Sequence, residues 1–217
     1  MPALKVTAEN GKSIKIIGVA DRVDIYRGEE NDYLRIVDYK TGTQEFSLDD
    51  VYNGLSTQLL LYMNALLEAD FAKGDKPLKP GAVVYQPSDA RFKFDKDNES
   101  LYTAVGMALD SPEISRAFDT TRQGRYGLIL GDDKTKKITG SEIAGEKKFN
   151  IILDYVKDEI RQMADGIYSG KFDRMPLEKD GGFRPCRWCR FAPVCQNSTK
   201  TKEMVKNRFD AMEKEEA

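Results

Sequence analysis

Apolar and polar residues alternate with period two from Ser13 to Tyr26, in SIKIIGVADRVDIY, and again from Tyr33 to Lys40, in YLRIVDYK. Such alternation places successive side chains on opposite faces of a strand. The link RGEENDY is short, polar and carries a glycine, so the two runs predict an antiparallel hairpin. Past a turn at Gly42 the period becomes helical over SLDDVYNGLSTQLLLYMNALLEAD. Ser47 is the expected cap, Asp50 completes a capping box, and one helix is predicted from Leu48 to Glu68. KGDKPLKPG then reads as a turn, and AVVYQP as a short apolar strand ending at Pro87. A second amphipathic helix is predicted from Phe149 to about Tyr168, with Ile152, Tyr155, Val156, Ile160, Met163 and Ile167 along one face.

The order strand, strand, helix, strand predicts an α/β fold with a mixed sheet and at least one helix packed on it. Residues 88 to about 148 are polar and punctuated by Gly, Asp and Pro, and they read as an insertion with helical pieces and a hairpin around RYGLILGDDKTKKITG. No internal repeat is visible. The strand-like pattern begins close to Met1, which reads as a domain taken from a longer protein. Residues 199–217 read as a charged tail ending in a frayed helix.

Strand parity sharpens the picture. Ile17, Val19, Asp21, Val23 and Ile25 share one face, and Leu34, Ile36, Asp38 and Lys40 share a face of the second strand. Asp24 and Arg22 fall on the other side. Two acids and a lysine thus stand among apolar neighbours, where an unpaired carboxylate costs several kcal/mol or takes up a proton. Two readings remain open on spacing alone: an ion pair with Lys40 at a sheet edge, or a divalent cation between Asp21 and Asp38. On the following helix, Val51, Leu55, Gln58, Tyr62, Ala65 and Leu66 form a stripe that brings an amide and a phenol toward the same face.

Composition removes alternatives. The chain has 217 residues, 40% hydrophobic and 32% charged, which fits one main globular domain. No apolar run reaches the roughly 20 residues that span a bilayer, and the N-terminal residues lack a secretion-signal layout, so the expected location is the cytoplasm with no membrane role. A net charge of −2 leaves any nucleic-acid binding to local basic patches or a metal. With no histidine, Ser-His-Asp triads and histidine metal centres are excluded. Gly11-Lys12-Ser13 resembles the end of a phosphate loop, but Val6 stands where that loop needs glycine.

Taken together, GVADRVD at 18–24, VDYKTG at 37–42 and QLLLY at 58–62 resemble the three ordered motifs of the PD-(D/E)xK nuclease superfamily, in its RecB-like group. CRWCRFAPVC, with FDRMPL upstream, is similar to the end of the nuclease domain in AddB-type subunits of bacterial helicase-nucleases. The resemblance covers about 13–87 and 150–197. It implies a RecB-like nuclease domain over 1–198 whose restriction-endonuclease-like core, at 13–87 and 150–197, has a central mixed sheet flanked by helices and a C-terminal cysteine loop. It makes Asp21, Asp38 and the Tyr39 carbonyl ligands of Mg²⁺ or Mn²⁺. Lys40 would orient or activate water, and Gln58 and Tyr62 would organise the site or touch phosphate. The implied substrate is DNA, processed at broken ends beside an AddA-like helicase-nuclease subunit. The second reading is a non-catalytic DNA-end-binding scaffold.

The family's [4Fe-4S] cluster would take Cys186, Cys189 and Cys195 with a fourth cysteine. The sequence holds three cysteines, so the expectation is an incomplete cluster site. A further metal-site residue of relatives would also lie before Met1. Lys134, Lys136 and Lys137, with Arg184, Arg187 and Arg190, read either as DNA-backbone contacts or as solvated basic faces. Trp188 reads as packing under its loop or stacking on a base.

Overall fold

A computed structural model describes residues 1–41, 45–69, 71, 74–88, 104–118, 129–130, 136–137, 141–179, 185–195 and 201–215. The turn expected at Gly42, together with Lys134 and Arg184, lies outside them. The central sheet has five strands: β3 (Arg22–Arg27), β4 (Asp32–Lys40), β5 (Leu78–Pro87), β6 (Val105–Leu109) and β9 (Glu142–Ala144), in that spatial order. β3 and β4 form the expected antiparallel hairpin, β4 pairs parallel to β5, β5 antiparallel to β6, and β6 parallel to β9. The sheet is therefore mixed, and β6 and β9 come from the stretch read as an insertion.

β4 is covered on both faces. Leu34 and Ile36 are fully buried in the larger core, and Val37 joins Ala82, Val84 and Ala108 in a smaller cluster on the reverse face. The β4–β5 register slips by one residue at Pro80-Gly81, where proline has no amide to give to a ladder. On the larger face lie α2 (Gln58–Glu68) and α4 (Glu146–Tyr168). α2 is buried nearly all round, from Leu59 to Leu66, because the sheet covers one side and α4 another. On the reverse face sits α3 (Pro112–Phe118), with Phe118 packed on the small cluster. β7 (Ile129–Leu130) and β8 (Lys136–Lys137) form the small antiparallel hairpin expected there.

Several elements differ from the expectations. The run from Ser13 to Tyr26 is two strands, not one. β2 (Ser13–Ile16) pairs with β1 (Leu4–Thr7) in a separate sheet, and residues 17–21 form the link into β3. In that link Ile17 and Val19 are 79% and 77% exposed, so the face predicted as covered is open there. The single helix over 48–68 is broken into α1 (Leu48–Tyr52) and α2, because Gly54 at φ +79° and Ser56 at φ +53° turn the backbone left-handed. Ser47 caps α1 as expected, accepting from the Asp50 amide at 3.4 Å, while the Asp50 carboxylate bonds Lys179. The predicted stripe loses Leu55 and Gln58, both exposed.

The tail also differs. β11 (Lys202–Glu203) pairs parallel with β10 (Leu177–Glu178), and α6 (Phe209–Glu215) packs on α4. Asp49 of α1 takes both the backbone and side-chain amides of Asn207, and the Asn53 amide bridges both backbone groups of Val205. Phe209 is fully buried, edge-on to Tyr52 and Tyr155. Finally, Trp188 is 82% exposed and does not pack under its loop.

On the reverse face of the β3–β4 hairpin, Asp24 receives Arg22 Nε and Arg35 Nε, both at 2.8 Å, and Arg35 lies over the Phe118 ring. Burial pushes the Asp24 carboxyl up, but the bonds from Arg22 and Arg35 outweigh it and hold it below the usual carboxylate range. A depressed folded-state pKa contributes stability that is complete above the unfolded value and disappears as pH falls through the folded one. The urea midpoint of the wild type is thus expected to hold steady through neutral pH and fall below about pH 4. Asp24→Asn should have a lower midpoint at neutral pH and a shallower acid decline. Parallel acid limbs in the two proteins would show that this network contributes nothing to the pH dependence.

Candidate active site

The open end of the hairpin carries the acidic residues. Arg22 pairs with Val37, so the next position back along the chain, Asp21, stands across from Asp38 on the face that holds Val23 and Ile36. Asp21 precedes the strand and is exposed, yet its Oδ2 accepts the Tyr39 amide at 2.9 Å. A side chain replaces the missing ladder partner, and that bond fixes the acid beside the end of β4. The Tyr39 carbonyl faces the same edge as its amide, whereas Lys40 turns to β5 and its carbonyl accepts the Ser88 amide.

Asp38 is buried, with its side chain 8% exposed. The Lys40 ammonium lies 2.5 Å from its Oδ2, but the angles are not those of a hydrogen bond, and that oxygen has no hydrogen-bond partner. A buried carboxylate oxygen balanced in charge but free of hydrogen bonds keeps a lone pair for another ligand. With the other Asp21 oxygen across the hairpin end and the Tyr39 carbonyl on the same strand edge as its amide, the donor set is all oxygen. It fits a hard divalent cation that takes one or two carboxylates and fills its remaining positions with water. The bland ion-pair reading and the metal reading therefore meet in the same atoms.

Gln58 and Tyr62 do not bond to either acid. Gln58 Nε2 donates to Tyr62 Oη at 2.9 Å, one helical turn apart on α2. Tyr62, 8% exposed, packs closely at Gly18 against the link that delivers Asp21. A Cβ at Gly18 would stand 2.6 Å from the Tyr62 ring and hydroxyl, so only glycine lets the backbone pass this close. Gly18→Ala is expected to force the two apart, at about 1–3 kcal/mol of stability. Urea unfolding measures the cost, and an unchanged midpoint would mean that the link yields freely.

One residue here escaped the sequence reading. Tyr85 of β5 pairs in register with Asp38, is 5% exposed, and presents its ring 5.7 Å from the Lys40 ammonium. Burial first, and the Asp38 charge second, push its phenol up to about 12. In sequence it was one apolar position of AVVYQP, and only the parallel β4–β5 pairing places it beside the charges.

The cysteines do not form a matching second centre. Cys186 lies in a 3₁₀ turn (Pro185–Trp188), Cys195 ends the short α5 (Ala192–Cys195), and all three thiols are free. Among the described residues no group of three or more Cys, His, Asp or Glu side chains is gathered as a metal site. Three thiols with no histidine do not fit a four-donor iron–sulfur or zinc centre on this chain alone. No described helix is long and apolar enough to cross a membrane.

Comparison with known proteins supplies the context. The family model described as PD-(D/E)XK nuclease superfamily matches residues 2–196. The B-type subunit of the ATP-dependent helicase/deoxyribonuclease from Thermoanaerobacter sp. (strain X514) is 33% identical over 99% of this chain and 20% of its own length. The proteins of the same name from Caldanaerobacter subterraneus subsp. tengcongensis and Clostridioides difficile (strain 630) are each 31% identical, over 98% and 93% of this chain and 19% of their own lengths. The chain spans about a fifth of the length of these curated relatives.

Proposed function

The chain belongs to the PD-(D/E)XK nuclease superfamily, and we propose that it hydrolyses DNA phosphodiesters with a divalent cation held by Asp21, Asp38 and the Tyr39 carbonyl. The observation that carries this reading is Asp38: a buried carboxylate with an unbonded oxygen, across the hairpin end from Asp21 and in contact with Lys40. Mg²⁺ or Mn²⁺ supplies Lewis acidity and an acidified water when bound.

The protein's own groups supply placement. Lys40 holds a positive charge beside the acids, where it orients a water and balances charge building on the phosphate. The Tyr39 amide keeps Asp21 from swinging to solvent. Tyr62 supports the link from below, and Gln58, exposed at the start of α2, directs its amide to the Tyr62 hydroxyl. Gln58 and Tyr62 act by organising this end of the site and by reaching toward phosphate.

We place the chain in a larger protein like its relatives, acting in the cytoplasm at broken DNA ends beside an AddA-like helicase-nuclease partner, with exonuclease action. A four-iron cluster would take Cys186, Cys189 and Cys195 with a fourth donor from outside this sequence. The test is incubation of end-labelled single- and double-stranded DNA with Mg²⁺, with EDTA and with Asp21→Asn as controls. Cation-dependent shortening that is lost in the variant is expected. Salt-sensitive binding without cleavage would favour the scaffold reading instead.

A further inference from the structure

We propose that the Tyr85 ring is the seat of the Lys40 ammonium and a positioning residue for hydrolysis, an inference that rests on the nuclease reading of the same site. Lys40 has a flexible four-carbon stem, a side chain 32% exposed, and Asp38 as its one ion partner among the described residues. That partner is compromised by the proposed chemistry: once Asp38 gives its oxygens to a cation, its charge is shared and the ammonium loses much of its hold. The Tyr85 ring face keeps a hold of a different kind. It lies 5.7 Å from Nζ, it is fixed by burial in β5 directly beside Asp38, and its attraction for a cation does not compete for carboxylate lone pairs.

Tyr85 would therefore keep Lys40 in place when Asp38 turns its oxygens to a cation. No hydrogen bond to its hydroxyl is present among the described residues, so the ring face carries the role. A leucine would keep the position apolar, though smaller, and lose the ring face, and phenylalanine would retain it.

The experiment compares wild type, Tyr85→Leu and Tyr85→Phe in two readouts: kcat and KM for Mg²⁺-dependent DNA cleavage, and hydrogen exchange of the Lys40 ammonium protons by ¹⁵N NMR with saturating Mg²⁺ and no DNA. Tyr85→Leu is expected to lower kcat about ten-fold with KM within about two-fold, and to speed ammonium exchange several-fold. Tyr85→Phe should restore both toward wild type. Unchanged kcat or unchanged exchange in Tyr85→Leu overturns the seat, and so does a Tyr85→Phe loss equal to that of leucine, which would move the role to the hydroxyl. Should wild type itself fail to cleave, the nuclease reading fails, while the exchange rates still decide whether the ring holds Lys40.

Discussion

Asp38→Asn is expected to abolish metal-dependent cleavage while leaving the fold intact, whereas Lys40→Ala is expected to abolish cleavage and weaken the fold as well. On the proposed mechanism both would remove a group that acts where charge develops, and each should lower the rate by roughly 10³-fold. Their effects on stability separate because of what each leaves behind. Lys40→Ala strands a buried carboxylate without its cation, at roughly 1–3 kcal/mol after allowing for the partial exposure of the lysine. Asp38→Asn removes the buried charge and leaves Lys40 free to reach water. Saturating Mg²⁺ should then stabilise Lys40→Ala more than Asp38→Asn, since only the former keeps two acids for a cation to bind. Thermal unfolding of both variants with and without Mg²⁺ reads this directly, and equal Mg²⁺ shifts would argue against Asp38 as a ligand.

Phe209→Ala is expected to be the most damaging single truncation outside the site. Its ring is fully buried, with centroids 5.5 Å from Tyr52 and 5.2 Å from Tyr155, both edge-on, while those two rings stack on each other at 5.0 Å. The Tyr155 hydroxyl in turn donates to the Tyr52 carbonyl at 2.7 Å. Emptying this corner should cost about 3–5 kcal/mol, a fall of roughly 10 °C in Tm for a domain of this size. Val205→Ala, at a half-exposed position on the same segment, serves as the control, with an expected change under about 0.5 kcal/mol. Should Phe209→Ala melt like Val205→Ala, the C-terminal helix would be an appendage and not part of the core.

Much of this was legible from periodicity. The hairpin, the face shared by Asp38 and Ile36, the exclusion of Asp24 to the reverse face and the long α4 all follow from spacings of two and of three to four. What failed did so for local reasons. Alternation continued through Ile17 and Val19 although the backbone leaves the sheet there, because a period of two describes any extended chain and does not require a partner strand. The 48–68 helix looked continuous because Asn53-Gly54 costs little in a pattern count, yet it turns the backbone left-handed.

Long-range pairing was the other gap. β6 and β9 are short strands in polar surroundings, and their place depends on neighbours distant in sequence. The charged tail hid one decisive apolar residue, Phe209. At the site, Asp21, Asp38 and Lys40 were visible as charges in an apolar row, whereas Tyr85 became visible only through the parallel pairing of β4 with β5.

The central claim is a cation between two carboxylates at the end of this hairpin. Anomalous X-ray diffraction from crystals of the protein soaked in Mn²⁺ tests it most directly. The expected map has a single strong peak within ligand distance of Asp21, Asp38 and the Tyr39 carbonyl, absent from Asp38→Asn crystals. A wild-type map with no peak there, or one in which Mn²⁺ settles elsewhere and leaves Asp38 paired to Lys40 alone, would contradict it.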